Sequence, residues 1–318
     1  MRRLKQFARW AILGGTLFFL ARAVKGHWRE VAALRLDGGG WAFLLLALAV
    51  TLLAHLWSGW VWGWILRSLA QPVSGSWSTL VYLKTNIAKY LPGNVWHFYG
   101  RVMAAKAVKI PVPVAVMSVV MEALLMAIAA LVVALAGNLA ENRYGVLQGL
   151  GLLVGLAAVH PRLLNPLMQR LARAKGKALK GAVFRDGAAS NRQVTNVPQP
   201  ARLTRYPLRP LLGELGFLLL RGAGFLVAVR ALTPVALDDV PSLLSGFSLA
   251  WLLGLVVPGA PGGIGVFEAT ALALLEPVLP AAVLLGAIAL YRLVSTLAEA
   301  IGAALAILVA RLDPRTKQ

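Results

Sequence analysis

The chain has 318 residues, of which 59% are hydrophobic and only 14% are charged, and its mean hydropathy is +0.73. Soluble domains carry roughly 25% charged residues, so the composition predicts an all-α polytopic membrane protein. The net charge of +20 is compatible with nucleic acid or with anionic lipid, but the basic residues flank apolar segments, which favours the membrane surface and not nucleic acid. The absence of cysteine excludes disulfides and thiolate metal sites, and we expect no metal or cofactor.

Six apolar segments are long enough to cross a bilayer, which takes about 20 residues. They cover residues 8–24, 41–66, 112–136, 145–161, 208–231 and 280–310. The first segment follows several basic residues as a signal peptide does, but no small-residue cleavage site comes after it. We therefore expect it to be a retained membrane span.

Two further apolar segments, 76–108 and 241–277, are interrupted by proline and glycine. Their pieces, about 14 to 17 residues long, are too short to cross a bilayer alone. Lipid cannot satisfy the backbone groups that such a break frees, so protein or a water-filled cavity has to do so. Paired breaks in two halves indicate a transport site, and we predict two re-entrant hairpins that face a cavity. The structural breaks are Pro92, Gly93, Pro258 and Pro261.

The distribution of lysine and arginine predicts that both termini are cytoplasmic, together with a basic loop at residues 161–209. With that orientation, the order of spans and hairpins in residues 1–136 returns upside down in residues 145–318. We therefore predict a single membrane domain, 1–318, built as an inverted-topology repeat.

The first break leads into a basic and aromatic stretch. Asn94 is a competent N-cap, and a helix N-terminus within the membrane attracts anions. His97 and Arg101 are four residues apart and share a helix face, while Lys89 precedes the break. This pattern predicts a pocket for a phosphate. The alternative is that the basic side chains extend to the cytoplasmic interface.

The second break contains Gly262 and Gly263, which permit close approach of the backbone. Glu268 follows one turn into the next helix, where it either faces the cavity or caps that helix. No Gly-Lys-Ser/Thr sequence follows the glycines, so we expect no nucleotide site.

Charged residues inside membrane spans are costly and mark functional sites. Glu122 lies 30 residues after Pro92, and Arg292 lies 31 residues after Pro261, so opposite charges are expected at comparable depths. Glu214 and Arg221 are seven residues apart on one helix face, and we favour local neutralisation for Glu214. His55 stands among tryptophans and is expected to serve packing.

The stretches Lys89–Trp96 and Pro261–Glu268 resemble the lysylphosphatidylglycerol synthase transmembrane, flippase-like family. The resemblance covers nearly the whole chain and implies movement of lipid between leaflets. It implies functional roles for Arg101 and Glu268. The sequence ends at Gln318 without the aminoacyl-transfer domain of the synthases, so we expect a stand-alone member that is not an enzyme.

These inferences predict a bacterial inner-membrane flippase or scramblase. Its substrate would be a phosphate-bearing lipid: an aminoacyl or other phospholipid, or a polyprenyl-phosphate-linked sugar. The alternative is a non-transporting partner or scaffold of a cell-envelope glycosyltransferase, docked through residues 161–209. The predicted substrate-binding residues are Lys89, Asn94, His97, Arg101, Glu122, Gly262, Gly263, Glu268 and Arg292.

Overall fold

The computed structural model describes residues 35–91, 95–137, 145–166, 203–257 and 260–312. These ranges form α-helices joined by short turns, which confirms the predicted all-α polytopic fold. One further helical stretch covers residues 161–166. The main helices are α1 (Gly38–Ser68), α2 (Gly75–Asn86), α3 (Trp96–Ala107), α4 (Val112–Ala136), α5 (Gly145–Ala158), α6 (Leu208–Arg230), α7 (Val240–Val256), α8 (Val266–Leu275) and α9 (Ala281–Leu312).

Five helical segments of the described chain are long and apolar enough to cross a membrane: α1, α4, α6, α9 and Leu237–Val256. The helix α4 has the predicted bounds. The described part of helix α5 has 14 residues, which is shorter than the span predicted at 145–161. The apolar composition continues past Ala158, but the helix ends there because His160 precedes Pro161, and that position disfavours helical backbone. The predicted span 8–24 lies outside the described residues.

The prediction that both pieces of 241–277 are too short to cross also needs correction. A 3₁₀ turn at Leu237–Asp239 runs directly into α7, and the two together form a 20-residue apolar segment. Sequence reasoning placed the start of this limb at residue 241 and so missed the added turn. By length and composition, this limb qualifies as a span.

The two interrupted segments fold as antiparallel helix hairpins. In the second hairpin, a methyl group added at Gly246 would meet Leu275, and one added at Gly254 would meet Gly263 and Phe267. The start of α7 therefore lies beside the end of α8.

The first hairpin has the same arrangement. A methyl group added at Gly100 of α3 would lie 2.9 Å from the Thr85 side chain of α2, and the Arg101 guanidinium lies 4.5 Å from the Tyr82 ring centroid. The prediction of two helix hairpins is thus supported in its geometry, whereas the side from which each enters the membrane stays a prediction.

The turns of the two hairpins meet inside the bundle. The helical backbone of the first ends in a 3₁₀ turn at Ile87–Tyr90, and the second break contains a 3₁₀ turn at Pro261–Gly263. A methyl group added at Gly262 would lie 2.8 Å from the Tyr90 ring. Gly262 and Gly263 have φ of 58° and 72°, a region that favours glycine. Both breaks therefore border the same internal space.

Each half of the described chain contains a long helix, a hairpin and a second long helix, in that order. The packed elements join the halves: the Trp57 indole of α1 donates to the Gly213 carbonyl of α6 at 2.8 Å, and Ser245 of α7 donates to the Ala134 carbonyl of α4 at 2.6 Å. The proposed inversion of one half relative to the other, and the bounds 1–136 and 145–318, stay predictions.

Candidate functional site: a charged cavity between the two breaks

A cavity of about 100 Å³ lies where the two breaks meet the long helices. It has room for several water molecules, and aromatic and aliphatic side chains form much of its wall. Seven of the predicted site residues line it: Lys89, His97, Arg101, Glu122, Gly262, Gly263 and Arg292. The paired breaks therefore do border a common cavity, as the sequence predicted.

Arg101 on α3 pairs with Glu122 on α4 inside the protein. The Arg101 Nη1 donates to Glu122 Oε2, and the two residues are 2% and 1% exposed. The guanidinium also lies within 5.3 Å of the Phe98 ring centroid. Arg101 therefore does not extend to the interface, and its charge is neutralised by the protein.

Arg292 on α9 donates hydrogen bonds from all three of its guanidinium nitrogens to residues in and just after the second break. Its Nε donates to Glu268 Oε1, and its two terminal nitrogens donate to the carbonyls of Gly262 and Gly263, each at 3.0 Å. The positive φ angles of these glycines turn consecutive carbonyls toward one guanidinium. Arg292 thus satisfies backbone groups that the break frees, as required inside a membrane.

Of the two roles considered for Glu268, the structure shows the helix cap; the residue is not among those that line the cavity. Its Oε2 accepts a hydrogen bond from the Gly265 N–H at 2.6 Å, so it caps α8, while its other oxygen accepts from Arg292. The helix begins at Val266 with Gly265 as N-cap. The helix N-terminus that follows Gly262 and Gly263 is therefore not open to an anion, because the protein's own carboxylate caps it.

The first break also departs from the predicted cap. Helix α3 begins at Trp96, and Val95 holds the N-cap position without a side-chain hydrogen bond. Asn94, Pro92, Gly93 and Pro258 lie outside the described residues, and of Pro261 only the backbone is described, in its 3₁₀ turn. The predicted roles of these residues stay predictions.

Each hairpin forms an ion pair with the long helix that follows it, but the positions of the positive and negative partners are exchanged between the two halves. In the first half, the hairpin supplies the arginine, Arg101, and the next long helix supplies the glutamate, Glu122. In the second half, the hairpin supplies Glu268 and the next long helix supplies Arg292. Each pair fastens the second limb of a hairpin to the helix that follows it.

A third cluster links the first break to the last helix. Lys89 Nζ lies 2.5 Å from Glu299 Oε1, and His55 Nε2 lies 3.2 Å from the same oxygen. Lys89 thus points inward, so the alternative of an interfacial lysine is not observed. His55, which we expected to serve packing alone, belongs to this polar cluster.

Arg221 on α6 is a cation that no carboxylate of the described chain pairs with. Its Nη1 donates to Ser295 Oγ at 2.8 Å and lies 3.3 Å from His55 Nε2, while its Nε lacks a described partner. The residue is 5% exposed and lines the cavity. Arg221 therefore presents to the cavity a positive charge that no described carboxylate contacts directly, although Glu299 lies within electrostatic range.

The expected neutralisation of Glu214 by Arg221 is wrong. Glu214 is fully buried, and neither of its carboxylate oxygens has a hydrogen-bond partner among the described residues. Arg221 instead turns toward α1 and α9. The seven-residue spacing correctly places Glu214 and Arg221 on one face of α6. It does not reveal that each residue lies against different neighbouring helices.

His97 lies at the cavity wall, 6% exposed, with its ring centroid 3.9 Å from that of Phe98. Its Nδ1 has no described partner. In the described parts of the chain, no three histidine or acidic residues are grouped to hold a metal ion.

Sequence reasoning counted Arg221 and Glu299 among the charges that mark functional sites, but it did not place them or His55 among the substrate-binding residues. The sequence did show that these polar and charged residues lie within apolar helices, and such a position by itself indicates a functional site. What the sequence lacked was the long-range pairing, since Lys89 and Glu299 are 210 residues apart.

These features define a polytopic α-helical membrane protein with a charged cavity bordered by two helix hairpins. The chain belongs to the family described as the lysylphosphatidylglycerol synthase TM region, whose sequence pattern matches residues 6–302. The match confirms the resemblance to this family that the sequences around the two breaks indicated. No curated protein matches the chain.

Proposed function

We propose that this protein moves a phosphate-bearing lipid between the two leaflets of the bacterial inner membrane, with both termini in the cytoplasm. The family supports a lipid-related role in the membrane. The observation that carries the proposal is Arg221: a buried guanidinium at a cavity wall, without a described carboxylate partner.

An unpaired arginine in a membrane helix costs free energy, which a bound anion recovers. A guanidinium holds a phosphate through two parallel hydrogen bonds. The neighbouring Lys89 is already paired with Glu299, so Arg221 is the cation of this cluster that lacks a direct contact with a described carboxylate. A phosphate-bearing headgroup is the ligand that this arrangement fits.

Movement of a charged headgroup through a bilayer is slow because the headgroup must leave water. A polar cavity between two hairpins lowers that cost while the acyl or prenyl chains stay in lipid. This role needs positioning and charge only, so we propose transport without covalent chemistry. The scaffold alternative rests on residues 161–209, which lie largely outside the described chain, and no described contact favours it.

The test uses protein reconstituted in phosphatidylcholine vesicles with fluorescent phosphatidylglycerol or polyprenyl phosphate. Arg221→Gln should slow translocation at least about tenfold, since hydrogen bonds to charged groups contribute about 1.5–3 kcal/mol and 1.4 kcal/mol is tenfold. Folding should persist, because this change removes a charge that lacks a counter-ion.

The matched control is Arg230→Gln, an exposed arginine of the same helix, which should translocate lipid at the parental rate. Parental rates in Arg221→Gln would contradict the assigned site. A parent protein that moves neither lipid would favour the scaffold alternative.

A further inference from the structure

Among the described residues, Glu214 is a fully buried charged group that the proposed function leaves unexplained. It is 0% exposed, both carboxylate oxygens lack described partners, and it lies in the membrane helix α6. A bare carboxylate there would be far more costly than a neutral carboxylic acid. Glu214 therefore carries a proton unless a nearby positive charge compensates its ionised form.

The surroundings of Glu214 offer it no free cation. It interacts electrostatically with Glu122 of α4 and Arg101 of α3, and also with Tyr82 of α2. Arg101 is already bound to Glu122. Two carboxylates thus share one arginine, and only one of them can be neutralised by it.

The other packed helices place their charges elsewhere. Helix α7 has no titratable residue. On α1, His55 lies beside Arg221. On α9, the Tyr291 hydroxyl donates to the Arg221 carbonyl at 3.2 Å, and Glu299 contacts His55. These groups meet α6 two turns away from Glu214.

In the described part of the chain, four cations line the cavity: Lys89, Arg101, Arg221 and Arg292. Four buried glutamates lie on helices that line it, although only Glu122 borders it directly: Glu122, Glu214, Glu268 and Glu299. Three of each form ion pairs: Arg101 with Glu122, Arg292 with Glu268, and Lys89 with Glu299. The remaining two are Arg221 and Glu214, which are separated by about 10 Å along α6. The site is therefore electrically balanced either by an ionised Glu214 or by an anion on Arg221.

We propose that Glu214 is a proton-binding site, and that binding of a phosphate headgroup at Arg221 is coupled to proton uptake at Glu214. An anion on Arg221 cancels the positive charge that favours ionisation of Glu214, so anion and proton bind together. By linkage, each favours the other to the same extent. The proposal rests on the proposed function for the identity of the anion and extends it to a proton-coupled transport of lipid.

The first experiment observes the proton directly in the full-length protein. Infrared spectra in a bilayer with phosphatidylglycerol should contain the carbonyl band of a protonated carboxylic acid. Glu214→Gln should remove this band, whereas Glu276→Gln, at an exposed glutamate, should leave it intact. Absence of the band in the parent protein, or its persistence in Glu214→Gln, overturns the proposal.

The second experiment measures coupling with dihexanoyl phosphatidylglycerol by calorimetry in two buffers of different ionisation enthalpy. The parent protein should take up about one proton per lipid, and its affinity should rise up to about tenfold per unit of falling pH. In Glu214→Gln, affinity should change less than about twofold between roughly pH 6 and pH 8. A parent that binds without proton uptake, or fails to bind, overturns the coupling.

Inorganic phosphate is the second ligand in this experiment. Equal proton uptake with inorganic phosphate supports the proton site and counts against a lipid as its ligand. Failure of translocation in vesicles leaves the infrared and calorimetric results unaffected, so the failure of the proposed function and of this inference are distinguishable.

Discussion

The three arginines at the cavity have different environments and therefore different roles. Arg101 and Arg292 are neutralised by glutamates, so they hold helices together. Arg221 has no such partner in the described chain and is available to a ligand. Residue type alone did not separate these roles, because all three are arginines in apolar helices. The role of each arginine depends on whether a carboxylate lies within hydrogen-bonding distance of its guanidinium group.

We expect Arg101→Ala to unfold the protein more readily. Removal of one partner of a buried ion pair costs about 3–5 kcal/mol, because Glu122 would keep an unpaired charge. Expression and the thermal unfolding temperature in detergent should both fall. This outcome revises the sequence-based expectation that Arg101 acts mainly on substrate.

The control for that variant is Lys84→Ala, at an exposed lysine of α2, which should unfold at the parental temperature. The double variant Arg101→Ala/Glu122→Ala should recover stability relative to Arg101→Ala. If Arg101→Ala unfolds at the parental temperature, the pair does not contribute to stability.

At the scale of helices, close contacts between backbones position the second hairpin against the first half. Gly137 ends α4 with φ of −86°, so alanine would be tolerated by its dihedral angles. A methyl group there, however, would lie 2.1 Å from the Pro241 carbonyl oxygen at the start of α7. The absence of a side chain, and not unusual backbone geometry, is what this position requires.

We expect Gly137→Ala to lower stability by about 1–3 kcal/mol, the typical cost of overpacking. The matched control is Gly149→Ala on α5, where an added methyl group has no neighbour within 4 Å. That change should be neutral or stabilising, because alanine favours helix by about 1 kcal/mol over glycine. Equal unfolding temperatures for the two variants would contradict the described contact of α4 with α7.

The sequence was informative about these helices where local chemistry determines the structure. Proline and glycine located both breaks, and apolar run length located α4 and α9 within a few residues. It failed where tertiary contacts decide. The pairing of Lys89 with Glu299, the pairing of Glu268 with Arg292 and the 3₁₀ extension before α7 depend on partners and turns that composition does not encode.

At the scale of the whole molecule, the open issue is how each hairpin enters the membrane. Single cysteines can test this cleanly because the chain contains none. If the first hairpin is re-entrant, cysteines at Ser76 and Lys106, exposed positions near its two outer ends, should react with an impermeant thiol reagent from the cytoplasmic side. A cysteine at Asp238, exposed before α7, should react from outside.

Intact spheroplasts and inside-out vesicles provide the two sides for this measurement, and the cysteine-free parent is the background control. Labelling of Ser76→Cys and Lys106→Cys from opposite sides would indicate that the first hairpin is two crossings. Labelling of Asp238→Cys from the cytoplasmic side would contradict the inverted arrangement of the halves.

The ion pair of Lys89 with Glu299 has a consequence for the order of events during biosynthesis. Arg101 and Glu122 are only 21 residues apart, so this pair can form before the second half of the chain is complete. Lys89 pairs with a residue 210 positions later. We therefore expect the first hairpin to gain this contact only after α9 has been synthesised.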